Sequence, residues 1–154
     1  MVPSSIPKIG IPRRCGGRVE GAVDTGVWAR FLRVKPLMGD PHVAEFRRLR
    51  EEGLIALIGP IRQEILSGAA PRERFEQLRE VLRAFPEIVL RADDYEEAAE
   101  FYNLCRSKRE QATNVDLLLC AVSARHRVAI YSLDSDFGRL ARLLPIKLHP
   151  HPRS

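Results

Sequence analysis

Five short apolar runs lie along the chain, and the segments between them carry apolar residues at intervals of three or four. The runs are RVEGAV (18–23), LIALI (54–58), EIVL (87–90), VAIYS (128–132) and IKL (146–148). Short apolar runs bounded by turn residues are typical of strands buried in a parallel sheet. The first run is the weakest strand prediction, because Glu20 and Gly21 dilute its apolar character.

The segments between the runs predict amphipathic helices, each with one apolar stripe. Asp93 and Glu96 are spaced like a capping box at the start of one helix, with Asp in place of the usual Ser or Thr. Thr113 or Asn114 caps the helix that follows. Seven helices are predicted, at residues 25–33, 41–53, 60–68, 71–85, 93–108, 115–126 and 136–144.

Alternation of strands and helices along the whole chain predicts an α/β fold. Its core would be a central, mostly parallel sheet of about five strands, covered by helices on both faces. The chain has 154 residues, which is enough for one domain with a proper core. We predict a disordered extension at 1–17, where prolines and glycines break any periodicity, a folded domain at 18–149 and a tail at 150–154.

Composition and charge narrow the classes of protein further. No run of about 18 apolar residues exists, and the N-terminus lacks the apolar segment of a secretory signal. Three cysteines (Cys15, Cys105 and Cys120) without a C-x-x-C pair favour a reduced, cytoplasmic protein. A net charge of +5 favours a polyanionic partner, nucleic acid first.

Acidic residues follow the predicted strands at similar positions. Asp24 comes directly after the first strand, and Glu64 lies in the helix after the second. Asp116 lies in the first turn of its helix, and Asp134 and Asp136 follow the fourth strand. Because ligand sites in open parallel sheets lie beyond the carboxyl ends of the strands, we expect these five acids to converge at one edge.

Taken singly, each acid has a simpler interpretation. Asp116 alone would be a helix cap, Glu64 a solvated side chain, and Asp134 with Asp136 a polar turn. As a set, however, carboxylates repel one another unless a cation lies between them, and Mg²⁺ prefers oxygen ligands. An acidic metal site in a basic protein predicts hydrolysis of phosphodiesters in nucleic acid.

Four segments resemble, in order, the motifs of PIN-domain nucleases, most closely the VapC toxins of bacterial and archaeal toxin–antitoxin pairs. They are VDTGVWARFLR, PIRQEILSG, TNVDLLLCAVSARH and YSLDSDFGRLA, and the resemblance covers about residues 19–148. It implies a PIN-like α/β/α sandwich and a cytoplasmic, metal-dependent endoribonuclease that acts as a toxin. It also implies an RNA substrate, a VapB-like antitoxin and a homodimer.

The resemblance also assigns roles to individual residues. It implies that Asp24, Glu64 and Asp116 are catalytic together with Asp134, that these acids and Asp136 ligate Mg²⁺ or Mn²⁺, and that a metal-bound water attacks RNA. Supporting roles fall on Thr25 beside the first acid and on Thr113 or Asn114 before the third. The chain departs from the family at Gly26, where a serine is usual, and in the weak apolar character of the first strand.

Two other functions remain open beside the toxin. The chain could be a non-toxin PIN nuclease in RNA processing, or a catalytically silent PIN-like module that binds RNA or protein. A silent module would be expected to lose acids, and all four are present. A D-x-D phosphatase fails on position, since its nucleophile follows the first strand whereas DSD (134–136) follows the fourth.

Three further features have less specific interpretations. Trp28 is expected in the core, because aromatic residues contribute much of the buried apolar area. His149 and His151 alternate with prolines in HPHPRS, which favours a loose tail over a metal site. Four cationic residues could line an RNA path: Arg62, Arg106, Lys108 and Arg109.

Overall fold

The computed structural model describes residues 21–35 and 38–153, so the predicted extension and the first three residues of the first predicted strand lie outside the described residues. Within these ranges every apolar run contributes a strand, and the last four strands are shorter than their runs. The strands are β1 (Gly21–Val23), β2 (Ile55–Ile58), β3 (Glu87–Ile88), β4 (Ala129–Tyr131) and β5 (Lys147–Leu148).

The strands form a parallel sheet in the order β3-β2-β1-β4-β5, which places β1 at its centre. The predicted α/β class with a parallel sheet of about five strands is therefore confirmed for the described residues. Val23 at the end of β1 is in register with Tyr131 at the end of β4. This register brings the segments that follow the two strands side by side.

Helices occupy the segments between the strands, as the periodicity predicts. One difference concerns the last helix, which ends at Leu140 and continues as turns over 141–143 instead of reaching residue 144. The helices are α1 (Thr25–Phe31), α2 (Pro41–Glu51), α3 (Gly59–Ser67), α4 (Arg72–Arg83), α5 (Ala92–Ser107), α6 (Asn114–His126) and α7 (Asp136–Leu140).

The predicted capping box at the start of α5 is wrong in its residues. The helix begins at Ala92, and the carboxylate of Asp94 accepts a hydrogen bond of 2.9 Å from the backbone N–H of Arg91. Asp94 is almost fully buried and also pairs with Arg125 and His126. Because Asp94 has these partners on α6, tertiary contacts rather than local spacing select the capping carboxylate.

Aromatic packing anchors α1 on the core, as expected for Trp28. Its indole ring is fully buried and makes edge-on contacts with Phe46 and Phe85, at centroid distances of 4.9 Å and 4.8 Å. Since α1 starts directly after β1, this packing fixes the direction in which the chain leaves the central strand.

Helix α6 crosses the interior, which explains its long apolar sequence. Its residues from Leu117 to Ser123 are all buried. Cys120 on this helix and Cys105 on α5 are buried free thiols, and burial raises the pKa of Cys120 to about 12. Both are therefore apolar filling rather than reactive groups, while Cys15 lies outside the described residues.

Among residues 21–35 and 38–153 we find no helix with the length and apolar character of a membrane span.

Candidate active site

Asp24 lies at the carboxyl end of the central strand, where it joins β1 to both α1 and β4. Its backbone N–H donates to the carbonyl of Tyr131 at 2.9 Å. Its carboxylate accepts 2.7 Å hydrogen bonds from the backbone N–H of Thr25 and from the hydroxyl of Ser132. The carboxylate is thus half-buried and held in one orientation by two donors.

Ser132 was not predicted as a site residue, yet it connects two of the predicted acids. Its hydroxyl donates to Asp24 and accepts a hydrogen bond of 3.0 Å from the backbone N–H of Asp134. The signal in the sequence is a hydroxyl directly after an apolar run and two residues before an acid. A hydroxyl is needed there because only a group that both donates and accepts can serve both partners.

Glu64 reaches the same region from α3, although its side chain is exposed. The hydroxyl of Thr25 donates to its carboxylate, with an Oγ1–Oε2 distance of 2.5 Å. The predicted supporting residue Thr25 therefore touches the first acid through its backbone and the second through its side chain. Position 26 faces the site as well, since a Cβ on Gly26 would lie 3.9 Å from Oδ2 of Asp24.

Asp116 and Thr113 form a reciprocal capping box at the start of α6. The backbone N–H of Asp116 donates to the Thr113 hydroxyl, and the backbone N–H of Thr113 donates to the Asp116 carboxylate, both at 3.1 Å. Thr113 is therefore the cap, and Asn114 is the exposed first residue of the helix, where it lines a cleft with Tyr102. The box orients Asp116 and leaves its other carboxylate oxygen outside the capping contact.

Asp136 differs from the other acids because an arginine already neutralises it. Its backbone N–H donates to Asp134 at 2.9 Å, while its carboxylate forms a close ion pair with Arg139. Arg139 also pairs with Glu110, at 3.3 Å, and so connects α7 to the loop before α6. Asp136 is thus positioned to hold Asp134 through its backbone more than to offer a free carboxylate.

Electrostatics single out Asp24 among the acids. Burial raises the pKa of Asp24 against the lowering effect of the hydrogen bonds from Ser132 and Thr25. The negative charges of Asp116 and Asp134 raise it further. Three carboxylates from three separate segments therefore act on one another, as expected where a cation would stabilise the cluster.

The donor chemistry suits a hard divalent cation. Asp24, Asp116 and Asp134 offer carboxylate oxygens only, and Mg²⁺ is commonly held by one or two carboxylates and several waters. Within the described ranges no three Asp, Glu, His or Cys side chains lie close enough together to hold a metal ion by themselves. Carboxylate oxygens suit a hard cation that keeps several waters better than a metal that prefers thiolate or imidazole ligands.

The C-terminal residues also lie against this region, so the expectation of a loose tail is wrong for them. Nε2 of His149 is hydrogen-bonded to Glu45 at 2.7 Å, and Nε2 of His151 to the carbonyl of Ser132 at 2.8 Å.

Of the basic residues predicted to line an RNA path, Arg62 is paired with Glu87, with an Nη2–Oε2 distance of 2.6 Å.

Comparison with known proteins gives consistent matches in sequence and in fold. The family model of the PIN domain matches residues 22–143. VapC ribonuclease Mb1587 of Mycobacterium bovis and ribonuclease VapC11 of Mycobacterium tuberculosis are each 33% identical over 125 residues, which is 79% of this chain and 91% of theirs.

Two solved structures show the same fold at low sequence identity. FitAcB from Neisseria gonorrhoeae has a TM-score of 0.69 and 16% identity, covering 84% of this chain and 96% of that chain. VapBC2 from Rickettsia felis, bound to a DNA fragment from its promoter, has a TM-score of 0.66 with the same identity and coverage. At 16% identity these two structures support the fold alone.

Proposed function

The chain belongs to the PIN-domain family and to its VapC ribonuclease group, and from this membership we propose that it is a metal-dependent endoribonuclease toxin, neutralised by a cognate antitoxin. The observation that carries the proposal is the environment of Asp24. Its carboxylate is half-buried at the end of the central strand, is held by two donors and is repelled by two other acids. Keeping a charged group in such a place lowers the stability of the folded protein. Such a cost is typical of a functional site.

We assign the cation to Asp24 and Asp116, with Asp134 and Glu64 completing its surroundings. When bound, Mg²⁺ or Mn²⁺ would activate a water and offset the negative charge that develops on the phosphate. Ser132 and Thr25 hold the carboxylate of Asp24 in place, and Thr113 orients that of Asp116.

The chain's own residues also restrict how the substrate can approach. Thr25 ties Glu64 on α3 to the end of β1, so that α3 flanks the acids on one side. The pair of Arg139 and Asp136 flanks them on the other, next to Asp134. With a net charge of +5, the rest of the surface favours a polyanion even though the site itself is acidic. RNA is the polyanion that the VapC relatives' names indicate.

The antitoxin is expected to supply, from a basic side chain, the positive charge that a metal ion would otherwise bring to the acidic site. A lysine or arginine from a bound peptide could lie beside Asp24 and Asp116 and offset the burial and the repulsion that raise the pKa of Asp24. The exposed apolar side chains of Val34 and Met38, between α1 and α2, offer an apolar contact for such a peptide. A homodimer, as the family resemblance implies, completes the proposal.

Expression in bacteria tests the toxin function against a non-toxin PIN nuclease. We predict that the protein alone arrests growth and degrades RNA, and that co-expression with the small gene next to its own restores growth. The two products should then co-purify as one complex, with mass measured by light scattering.

The Asp116→Asn variant is the control for this experiment. It should leave growth unaffected and stay folded, because the capping box survives when Asn accepts through its carbonyl oxygen. A protein that cleaves RNA in vitro but is harmless alone and binds no such partner would remove the toxin function and leave a nuclease of RNA processing. A protein that binds RNA without cleaving it would leave the silent module.

A further inference from the structure

The C-terminal residues 149–152 lie against the sheet beside the proposed active site, and hydrogen bonds hold them there. The backbone N–H of His149 donates to the carbonyl of Ile130 at 2.7 Å, which extends the pairing of β5 with β4. Its Nε2 lies 2.7 Å from Oε1 of Glu45 on α2. Hydrogen bonds from Arg48 and, more weakly, His149 lower the pKa of Glu45 to about 2 against the effect of burial, so Glu45 is an anionic anchor for the histidine.

Two prolines prepare this segment for an extended path. Pro150 and Pro152 each follow a histidine, and a residue before proline is restricted to extended backbone. The backbone at His149 and His151 is therefore restricted to an extended path, which sets the spacing at which the two imidazole rings leave the chain. Anchored at Glu45, the segment carries the second ring to the end of β4.

His151 binds the backbone of Ser132, the residue that joins Asp24 to Asp134. Its Nε2 lies 2.8 Å from the Ser132 carbonyl. A carbonyl only accepts, so the hydrogen is on Nε2. The same serine donates its hydroxyl to Asp24 and accepts from the N–H of Asp134.

A second contact holds the ring of His151 from the side. It meets the ring of His42 edge-on, with centroids 5.5 Å apart. His42 is itself hydrogen-bonded through Nδ1 to the hydroxyl of the buried Tyr131, at 2.8 Å. The histidine from the C-terminus thus contacts both α2 and the turn after β4.

We propose that His151 is a positioning residue for the active site, which fixes the Ser132 backbone so that the serine hydroxyl stays on Asp24 and the turn presents Asp134. This inference rests on the proposed nuclease function. His151 is exposed, whereas Ser132 is only 7% exposed, so losing the imidazole removes a restraint without opening the core. The effect should therefore fall on the site and not on the fold.

Replacing His151 by alanine tests this role. Partners of a metal ligand typically contribute about 10- to 100-fold to activity or metal affinity, and His151 acts one bond further out. We therefore expect His151→Ala to lower kcat for RNA cleavage about three- to tenfold and to weaken Mn²⁺ binding by a similar factor. KM for RNA and the melting temperature should be nearly unchanged. His151→Gln, whose amide N–H can reach a carbonyl, should recover a large part of kcat.

A matched control is His126→Ala, since His126 also bonds through Nε2, to Asp94 at 3.2 Å on the α5–α6 pair. It should leave kcat and Mn²⁺ affinity unchanged. A readout independent of cleavage is hydrogen exchange of the Asp134 amide, which should speed up in His151→Ala and not in His126→Ala.

The outcomes separate this inference from the proposed function. If wild-type protein cleaves RNA and His151→Ala matches it in kcat, Mn²⁺ affinity and exchange, the positioning role is wrong and the nuclease stands. Equal losses in His151→Ala and His151→Gln would also overturn it, because the donor would not be what matters. If wild-type protein does not cleave RNA but exchange at Asp134 responds to His151→Ala, the nuclease function fails while the structural link stands.

Discussion

Replacing Asp24 by asparagine should abolish RNA cleavage while the protein stays folded. Asn keeps the size of the side chain and can still accept a hydrogen bond from Thr25, but it lacks the negative charge that a divalent cation needs. Even partners of a metal ligand contribute about 10- to 100-fold, so we expect a loss of at least about a hundredfold for the ligand itself. Initial rates on a labelled RNA, at saturating Mg²⁺ and with circular dichroism to check the fold, measure this loss.

The same substitution has a predictable effect on how stability depends on pH in the metal-free protein. The folded pKa of Asp24 is raised above the ordinary value of an aspartate, mainly by burial, so ionisation of Asp24 costs the folded state free energy. No cost exists below the unfolded pKa, and the cost grows as pH rises through the folded pKa. The melting temperature of Asp24→Asn relative to wild type should therefore rise as pH increases above the ordinary pKa of an aspartate.

Asp40 provides a matched control, since it also precedes a helix and accepts a backbone hydrogen bond, from His42 at 2.9 Å. Burial alone would raise the pKa of Asp40, but the hydrogen bonds from His42 and Arg30 hold it below the ordinary value of an aspartate. Asp40 therefore stabilises the fold above its unfolded pKa, and this is lost as pH falls through the folded pKa. Asp40→Asn should retain cleavage and show the opposite trend with pH. Parallel trends in the two variants would contradict the raised pKa of Asp24, which burial and, to a smaller extent, the neighbouring acids produce.

Replacing Trp28 by alanine should have the largest effect on stability. The side chain is fully buried between Phe46 and Phe85, and truncating a buried Trp costs about 3–5 kcal/mol. Urea unfolding of the metal-free protein measures the free energy. Because α1 leads directly from Asp24, cleavage should also fall under conditions in which the variant is still mostly folded.

Trp28→Phe separates packing from hydrogen bonding at the same position. In the part of the chain that the structure describes, Nε1 of Trp28 has no hydrogen-bond partner, so phenylalanine loses volume without losing a hydrogen bond. Its cost should be well below that of alanine. A cost under about 1 kcal/mol for Trp28→Ala would show that α1 is not anchored by this residue.

The α/β fold could be predicted from the sequence because the apolar runs have the length of strands and the segments between them carry apolar residues at helical spacing. The central strand was the hardest to predict, since Glu20 and Gly21 give it little apolar character. Its place in the sheet depends on its neighbours: β1 lies between β2 and β4, and Ala22 and Val23 are buried there. Tertiary packing outweighs the weak strand propensity of this segment.

The position of the candidate site could be predicted because the topology of the sheet alone decides where its acids lie. Acids that follow parallel strands or begin the next helix lie at the carboxyl edge of the sheet, which is why Asp24 and Asp134 share the Ser132 hydroxyl. Ser132 and His151 were not predicted because their contacts, with Asp24 and with the Ser132 carbonyl, join residues that are distant in sequence. The position of Ser132 after an apolar run and two residues before an acid was a usable signal, whereas a histidine between prolines has no pattern that indicates the Ser132 carbonyl as its partner.

The most direct test of the account is RNA cleavage by metal-depleted protein reconstituted with Mg²⁺ or Mn²⁺. We predict no cleavage after treatment with a chelator and removal of the chelator by dialysis. Stoichiometric or excess Mn²⁺ should restore the rate for wild type and for Asp40→Asn, but not for Asp24→Asn. Cleavage by chelator-treated wild-type protein at the rate of the metal-loaded form, in a preparation free of contaminating ribonuclease, would contradict the metal-dependent mechanism.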